Sequence, residues 1–114
     1  MKRVIVSYRI KPEHIEENGR LIEAVFAELS TSRPEGLRYM SFRGEGGRFV
    51  HIAERAEGAA DLPEFDSFRK FQKSFAERCL VRPDVTSIEI VGSYGMGGEQ
   101  PPPAAVRGQR GGAL

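Results

Sequence analysis

Positions 2–10 alternate: Val4, Val6, Tyr8 and Ile10 fall on one side and Ile5, Ser7 and Arg9 on the other, the period-two pattern of a half-buried strand. Pro12 suits the first turn of a helix. Ile15, Ile22, Val25, Phe26 and Leu29 then recur at helical spacing, opposite Glu16, Glu17, Arg20 and Glu23, which predicts a helix to about Ser30. Gly19 inside that helix lowers its propensity by roughly 1 kcal/mol relative to alanine. Arg33-Pro34-Glu35-Gly36 reads as a loop, and the strand-like runs Leu37–Arg43 and Arg48–Arg55, joined by Gly44-Glu45-Gly46-Gly47, read as a hairpin. Phe68, Phe71, Phe75 and Cys79 mark a second helix, stopped by Pro83. Thr86–Gly92 is predicted as a fourth strand, with Ile88 and Ile90 on one side.

The order βαββαβ defines an α+β domain, expected over residues 1–95, with a four-stranded antiparallel sheet and two helices on one face. From Met96 the chain turns to Gly, Pro, Gln and Ala, too little apolar surface to offset the entropy of ordering, so 96–114 is expected to be a flexible tail.

Face assignment follows from the hairpin. A turn about Glu45-Gly46 pairs Phe42 with Phe49, Met40 with His51 and Arg38 with Ala53. Leu37, Tyr39, Val50 and Ile52 then join Val4, Val6 and Tyr8 under the helices. The other face carries Ile5, Ser7, Arg9, Arg38, Met40, Phe42, Phe49, His51, Arg55, Ser87, Glu89 and Val91, a set too apolar to be merely solvated. A second copy of the chain is the expected cover, since homodimers are the commonest oligomers.

Composition narrows the partners. The 114 residues carry 17 basic and 16 acidic side chains, a formal charge of +1, which gives no field that would draw nucleic acid or an anionic membrane. The longest apolar run near the N-terminus is Val4–Val6, far short of a signal or membrane-spanning segment, so a cytoplasmic protein is expected. The single cysteine, Cys79, fits a reducing compartment and reads as a core filler.

The strand Val4-Ile5-Val6-Ser7-Tyr8-Arg9-Ile10 with Lys11-Pro12, the segment Arg33-Pro34-Glu35-Gly36-Leu37-Arg38-Tyr39, and the strand Arg48-Phe49-Val50-His51-Ile52-Ala53-Glu54 together resemble the antibiotic biosynthesis monooxygenase family. The resemblance covers about residues 3–95. It implies a ferredoxin-like dimeric α+β barrel in which two sheets face each other, with a small pocket in each subunit. Some members oxidise aromatic polyketides without a cofactor, others degrade haem, and many have no known reaction. In the polyketide oxidisers the positions matching His51 and Arg55 look like an asparagine and a tryptophan, so both differ here. The haem degraders place a ligand histidine in the region matching Leu62–Phe75, which has none, so haem is not expected.

His51 is the one group on the proposed open face that titrates near neutrality. With Arg55 it is the candidate catalytic pair, placed to deprotonate or orient a phenol or enol. Ser7, Arg9, Arg38, Met40, Phe42, Phe49 and Glu89 are the candidate substrate-binding residues on the same face. The alternative is a hydrogen-bonded histidine in a dimer interface, with Arg9, Arg38, Arg55 and Glu89 in cross-subunit ion pairs. His14, among Glu13, Glu16 and Glu17, reads as an exposed helix-start residue rather than a metal ligand. Glu54 falls on the helix-side parity and is expected to pair near Arg43. No metal, no cofactor, no phosphate loop and no nucleophilic constellation is expected. The same element order belongs to RNA-binding modules, and Gly47–Ile52 loosely resembles their third-strand motif. Strand one, however, lacks an open-face aromatic for stacking bases, so nucleic acid is not the expected partner.

Overall fold

The computed structural model describes residues 1–96. Strand β1 (Lys2–Ile10) passes through a 3-10 turn at Pro12–His14 into helix α1 (Ile15–Ser32). The hairpin β2 (Leu37–Arg43) and β3 (Arg48–Arg55) follows, then α2 (Asp66–Gln72), the single turn α3 (Phe75–Arg78) and β4 (Cys79–Ser87). The sheet has the order β2-β3-β1-β4 with every neighbouring pair antiparallel, as the ferredoxin-like topology requires. The tail expected over 96–114 lies, past Met96, outside the described residues.

Tyr8 and Ile10 of β1 and Phe49 of β3 pack against Ile22 and Val25 of α1 and against Leu62 and Phe71. Phe49, Ile10, Val25 and, unexpectedly, Asn18 are the largest fully buried side chains. Each of the three apolar ones contributes roughly 1.5–3 kcal/mol relative to an exposed position. Arg33 ends α1 in the left-handed conformation at φ 49°, its N–H bonding Leu29.

The hairpin register differs from the expected one by one residue. Ser41 pairs with His51, Tyr39 with Ala53 and Arg43 with Phe49. The turn is centred on Gly46 rather than on a peptide bond: Glu45–Gly47 form a 3-10 turn with Gly46 and Gly47 at φ 67° and 82°, and Gly44 N–H bonds Arg48 C=O at 2.8 Å. Because strand side chains alternate, that single step exchanges the two faces of β3. Phe49, His51, Ala53 and Arg55 take the helix side, whereas Val50, Ile52 and Glu54 take the open side with Arg38, Met40 and Phe42.

The second helical region is also shorter than expected. It breaks at Ser74, which sits at φ 61°, and β4 begins at Cys79 rather than Thr86. Arg78 explains the break, since its Nη2 and Nη1 donate to the carbonyls of Phe71 and Lys73 at 2.7 and 3.0 Å, so the end of α2 is capped by a side chain. Pro83 does not stop the helix but lies within β4, tolerated because β4 is an edge strand. Ile88 is half-buried and donates its N–H to Arg3 C=O at 3.0 Å, while Ile90 is exposed. At Gly19 the Arg43 guanidinium, which lies over the Phe49 ring, rests in the space a Cβ would take, so a larger residue there would displace that side chain.

Candidate functional site

Between the helix side of the sheet and the α2–α3 region lies a cavity of about 410 Å³, within the 300–1,000 Å³ common for small-molecule sites. Val4, Val6, Tyr8, Tyr39, His51 and Ala53 form its sheet wall, Leu62, Pro63, Phe68, Phe71 and Phe75 its helical wall, and Val85 of β4 one edge. Strand alternation delivers the first set, and the phenylalanine spacing delivers the second. Phe71 and Phe75 meet His51 and Tyr8 edge-on, with ring centroids 5.8 and 4.8 Å apart.

His51 is the centre of this wall and is 4% exposed. Its Nε2 lies 2.6 Å from the Tyr8 hydroxyl, and its Nδ1 lies 2.5 Å from Ser41 Oγ and 3.1 Å from the Tyr39 hydroxyl. Burial penalises the imidazolium and pushes its pKa down to about 4, so His51 is neutral at physiological pH. Burial likewise raises Tyr39 to about 12 and Tyr8 above its ordinary value, so both phenols keep their protons. Asn18 of α1 donates to the Tyr8 hydroxyl at 3.1 Å, and Arg78 Nε donates to Asn18 Oδ1 at 3.0 Å. Arg78 is 2% exposed and lies against the Phe71 and Phe75 rings.

The expected site residues therefore separate. His51 lines the cavity, on the helix side rather than the open side. Phe49, also expected on the open face, is core, stacked on Tyr8 at 5.7 Å. Arg55 shares the face of His51 but turns to the loop before α2, donating to Ala59 C=O at 3.0 Å and lying 3.7 Å from Asp61. Ser7, Arg9, Arg38, Met40 and Phe42 do occupy the open face. There Ser7 accepts from Arg48 at 3.3 Å and Arg9 donates to Gly46 C=O at 3.2 Å. Glu89 lies beyond β4 and is exposed. Glu54, expected beneath the helices beside Arg43, instead faces outward between Arg3 at 2.5 Å and Arg38 at 3.6 Å. Arg43 pairs with Glu16 at 3.4 Å. His14 bonds Glu17 at 2.9 Å on the surface. Burial raises the pKa of the Cys79 thiol.

Tyr8, Asn18, Tyr39, Ser41 and Arg78 were not expected at the site. The available signal was Asn18, a polar residue in the stripe that continues through Ile22 and Val25. Among the described residues no cluster of three or more His, Cys, Asp or Glu is arranged to hold a metal ion, and no helix is long and apolar enough to cross a membrane.

No protein-family model matches the sequence, and no curated protein matches it. Solved structures do match. A conserved protein from Methanosarcina mazei Go1 superposes with a TM-score of 0.62 at 21% identity over 76% of this chain and 89% of that one. A structure described as an antibiotic biosynthesis monooxygenase gives 0.59 at 22% identity, covering 81% of this chain and all of that one (100%). A candidate antibiotic biosynthesis monooxygenase from Nitrosomonas europaea gives 0.63 at 17% identity, over 79% and 89%. The chain is therefore antibiotic biosynthesis monooxygenase-like in its fold.

Proposed function

We propose that the chain is a homodimer that binds a phenolic or enolisable aromatic compound in the cavity beside His51 and oxidises it with dioxygen, without a resident cofactor. The observation that carries this reading is a neutral, buried imidazole held by three hydroxyl groups on the wall of an aromatic-lined cavity. In the reaction a ring methylene becomes a carbonyl: one oxygen atom enters the substrate, and the other leaves as water with the two hydrogens. The electrons come from the substrate, most readily from its enol or enolate. A low-pKa imidazole is a poor base for an enol, since a proton gap of several units costs about 1.4 kcal/mol per unit, so His51 serves the substrate through the hydroxyl groups it holds.

The proposed second copy covers the open face, where Met40 and Phe42 are 40% and 45% exposed beside Ile5, Val50 and Ile52. The likeness to proteins named as antibiotic biosynthesis monooxygenases supports the choice of oxidation. One observation favours a second reading, a binding protein without chemistry: both ring nitrogens of His51 already have protein partners.

The test is incubation with anthrone under ¹⁸O-labelled dioxygen. Gain of one labelled oxygen with loss of two hydrogens, abolished in His51→Ala, is the expected result. Saturable binding without oxygen consumption contradicts the oxidation and establishes the second reading.

A further inference from the structure

We infer that the hydrogen bonds from Arg78 to Tyr39 run in one direction, fix His51 as its Nδ1–H tautomer, and leave the Tyr39 O–H as a donor that the cavity offers to a ligand oxygen. The ligand half rests on reading the cavity as a small-molecule site; the tautomer half does not.

Direction is set at the buried end. Arg78 Nε carries a hydrogen and cannot accept, so its partner at 3.0 Å must be an oxygen, which fixes the Asn18 amide. That amide then presents Nδ2–H to the Tyr8 oxygen at 3.1 Å. With its oxygen accepting, Tyr8 has a proton to place, and His51 Nε2, at 2.6 Å, is the acceptor in reach. A hydrogen on Nε2 would leave the Tyr8 proton buried without a partner, a loss comparable to a broken hydrogen bond. Nε2 therefore carries the lone pair and Nδ1 the hydrogen.

The proton on Nδ1 faces Ser41 Oγ at 2.5 Å and the Tyr39 hydroxyl oxygen at 3.1 Å, and toward an N–H both oxygens can only accept. The Tyr39 oxygen accepts, so its own hydrogen is one that the chain does not consume. Tyr39 lines the cavity. A permanent cation thus anchors a series of aligned donors ending at a hydroxyl, which suits a carbonyl, quinone or phenolate oxygen rather than an amine. Arg78, Asn18 and Tyr8 act through His51 and are positioning residues.

Two measurements test this. Multiple-bond ¹H–¹⁵N correlation on histidine-labelled protein should show Nδ1–H for His51, and Asn18→Leu should shift it toward Nε2–H. Nε2–H in the native chain overturns the direction, and an unchanged tautomer in Asn18→Leu overturns the positioning role. The ligand half is read from titration with 9-fluorenone and fluorene, which differ by a carbonyl. Fluorenone should bind several-fold to about tenfold more tightly, as expected for one hydrogen bond. Tyr39→Phe should erase that preference while leaving fluorene affinity intact. Equal affinities in the native chain overturn the donor assignment, and binding of neither compound overturns the cavity reading while the tautomer result stands.

Discussion

His51 is a histidine whose environment removes the titration its type suggests. Its pKa falls from 6.5 to about 4 because burial penalises the charge, so between those values the unfolded chain binds the extra proton and the folded chain does not. Stability from this group is complete above pH 6.5 and is lost as pH falls toward 4. Between pH 7 and pH 5 the loss is about 2 kcal/mol, readable as a drop in urea midpoint. His51→Gln, which cannot titrate, should lack that component; the same pH dependence in the variant would mean that other groups cause it. The importance of position 51 was legible in the sequence because histidine is rare in this chain and sits in a strand. Its partners were not, because Tyr8 and Tyr39 read as ordinary inward aromatics and nothing in the sequence sets Arg78 apart from the other arginines. Arg55 was read as a neighbour of His51 in space, but its long side chain reaches the Ala59–Asp61 loop instead.

The first three strands and the helix side of β1 are legible from alternation, as is α1 from its 3.6-residue stripe, whereas β4 lies at Cys79–Ser87 rather than over Thr86–Gly92. The hairpin register was not legible either. A Gly-Glu-Gly-Gly linker allows a turn centred on a bond or on a residue, and nothing in β3 arbitrates, because Phe49 and His51 on one face are matched by Val50 and Ile52 on the other. Gly47 decides it: a Cβ there would stand 2.5 Å from the Ile10 carbonyl oxygen, at a φ of 82°. Gly47→Ala should therefore cost about 2–3 kcal/mol from strain and clash together, measured by chemical denaturation. A loss under half that would show that the turn relaxes. The end of the second helix was misread for a comparable reason, since the phenylalanine spacing persists through the break at Ser74 and only a side-chain cap from Arg78 reveals it. Arg78→Met should cost about 3 kcal/mol, by leaving two carbonyls and Asn18 without their donor. A stability change within experimental error would contradict the capping role.

At the scale of the whole molecule, the one-residue register step separates two surfaces that sequence reasoning had merged. The open face keeps an apolar centre of Ile5, Met40, Phe42, Val50 and Ile52, bounded by the Arg3–Glu54–Arg38 row, and the cavity lies on the far side of the sheet. Phe42→Asp should shift sedimentation from dimer toward monomer while leaving ligand affinity per chain unchanged, because a carboxylate opposite an apolar partner is not solvated. An unaltered monomer–dimer equilibrium would place the interface elsewhere. The account rests above all on which side of the sheet holds the ligand, and amide chemical-shift mapping during titration with 9-fluorenone measures that directly. The expected shifts cluster at Val6, Tyr8, His51, Leu62, Phe71 and Phe75, with Ile5, Met40, Phe42 and Ile52 unmoved. Shifts confined to those four open-face residues would contradict it.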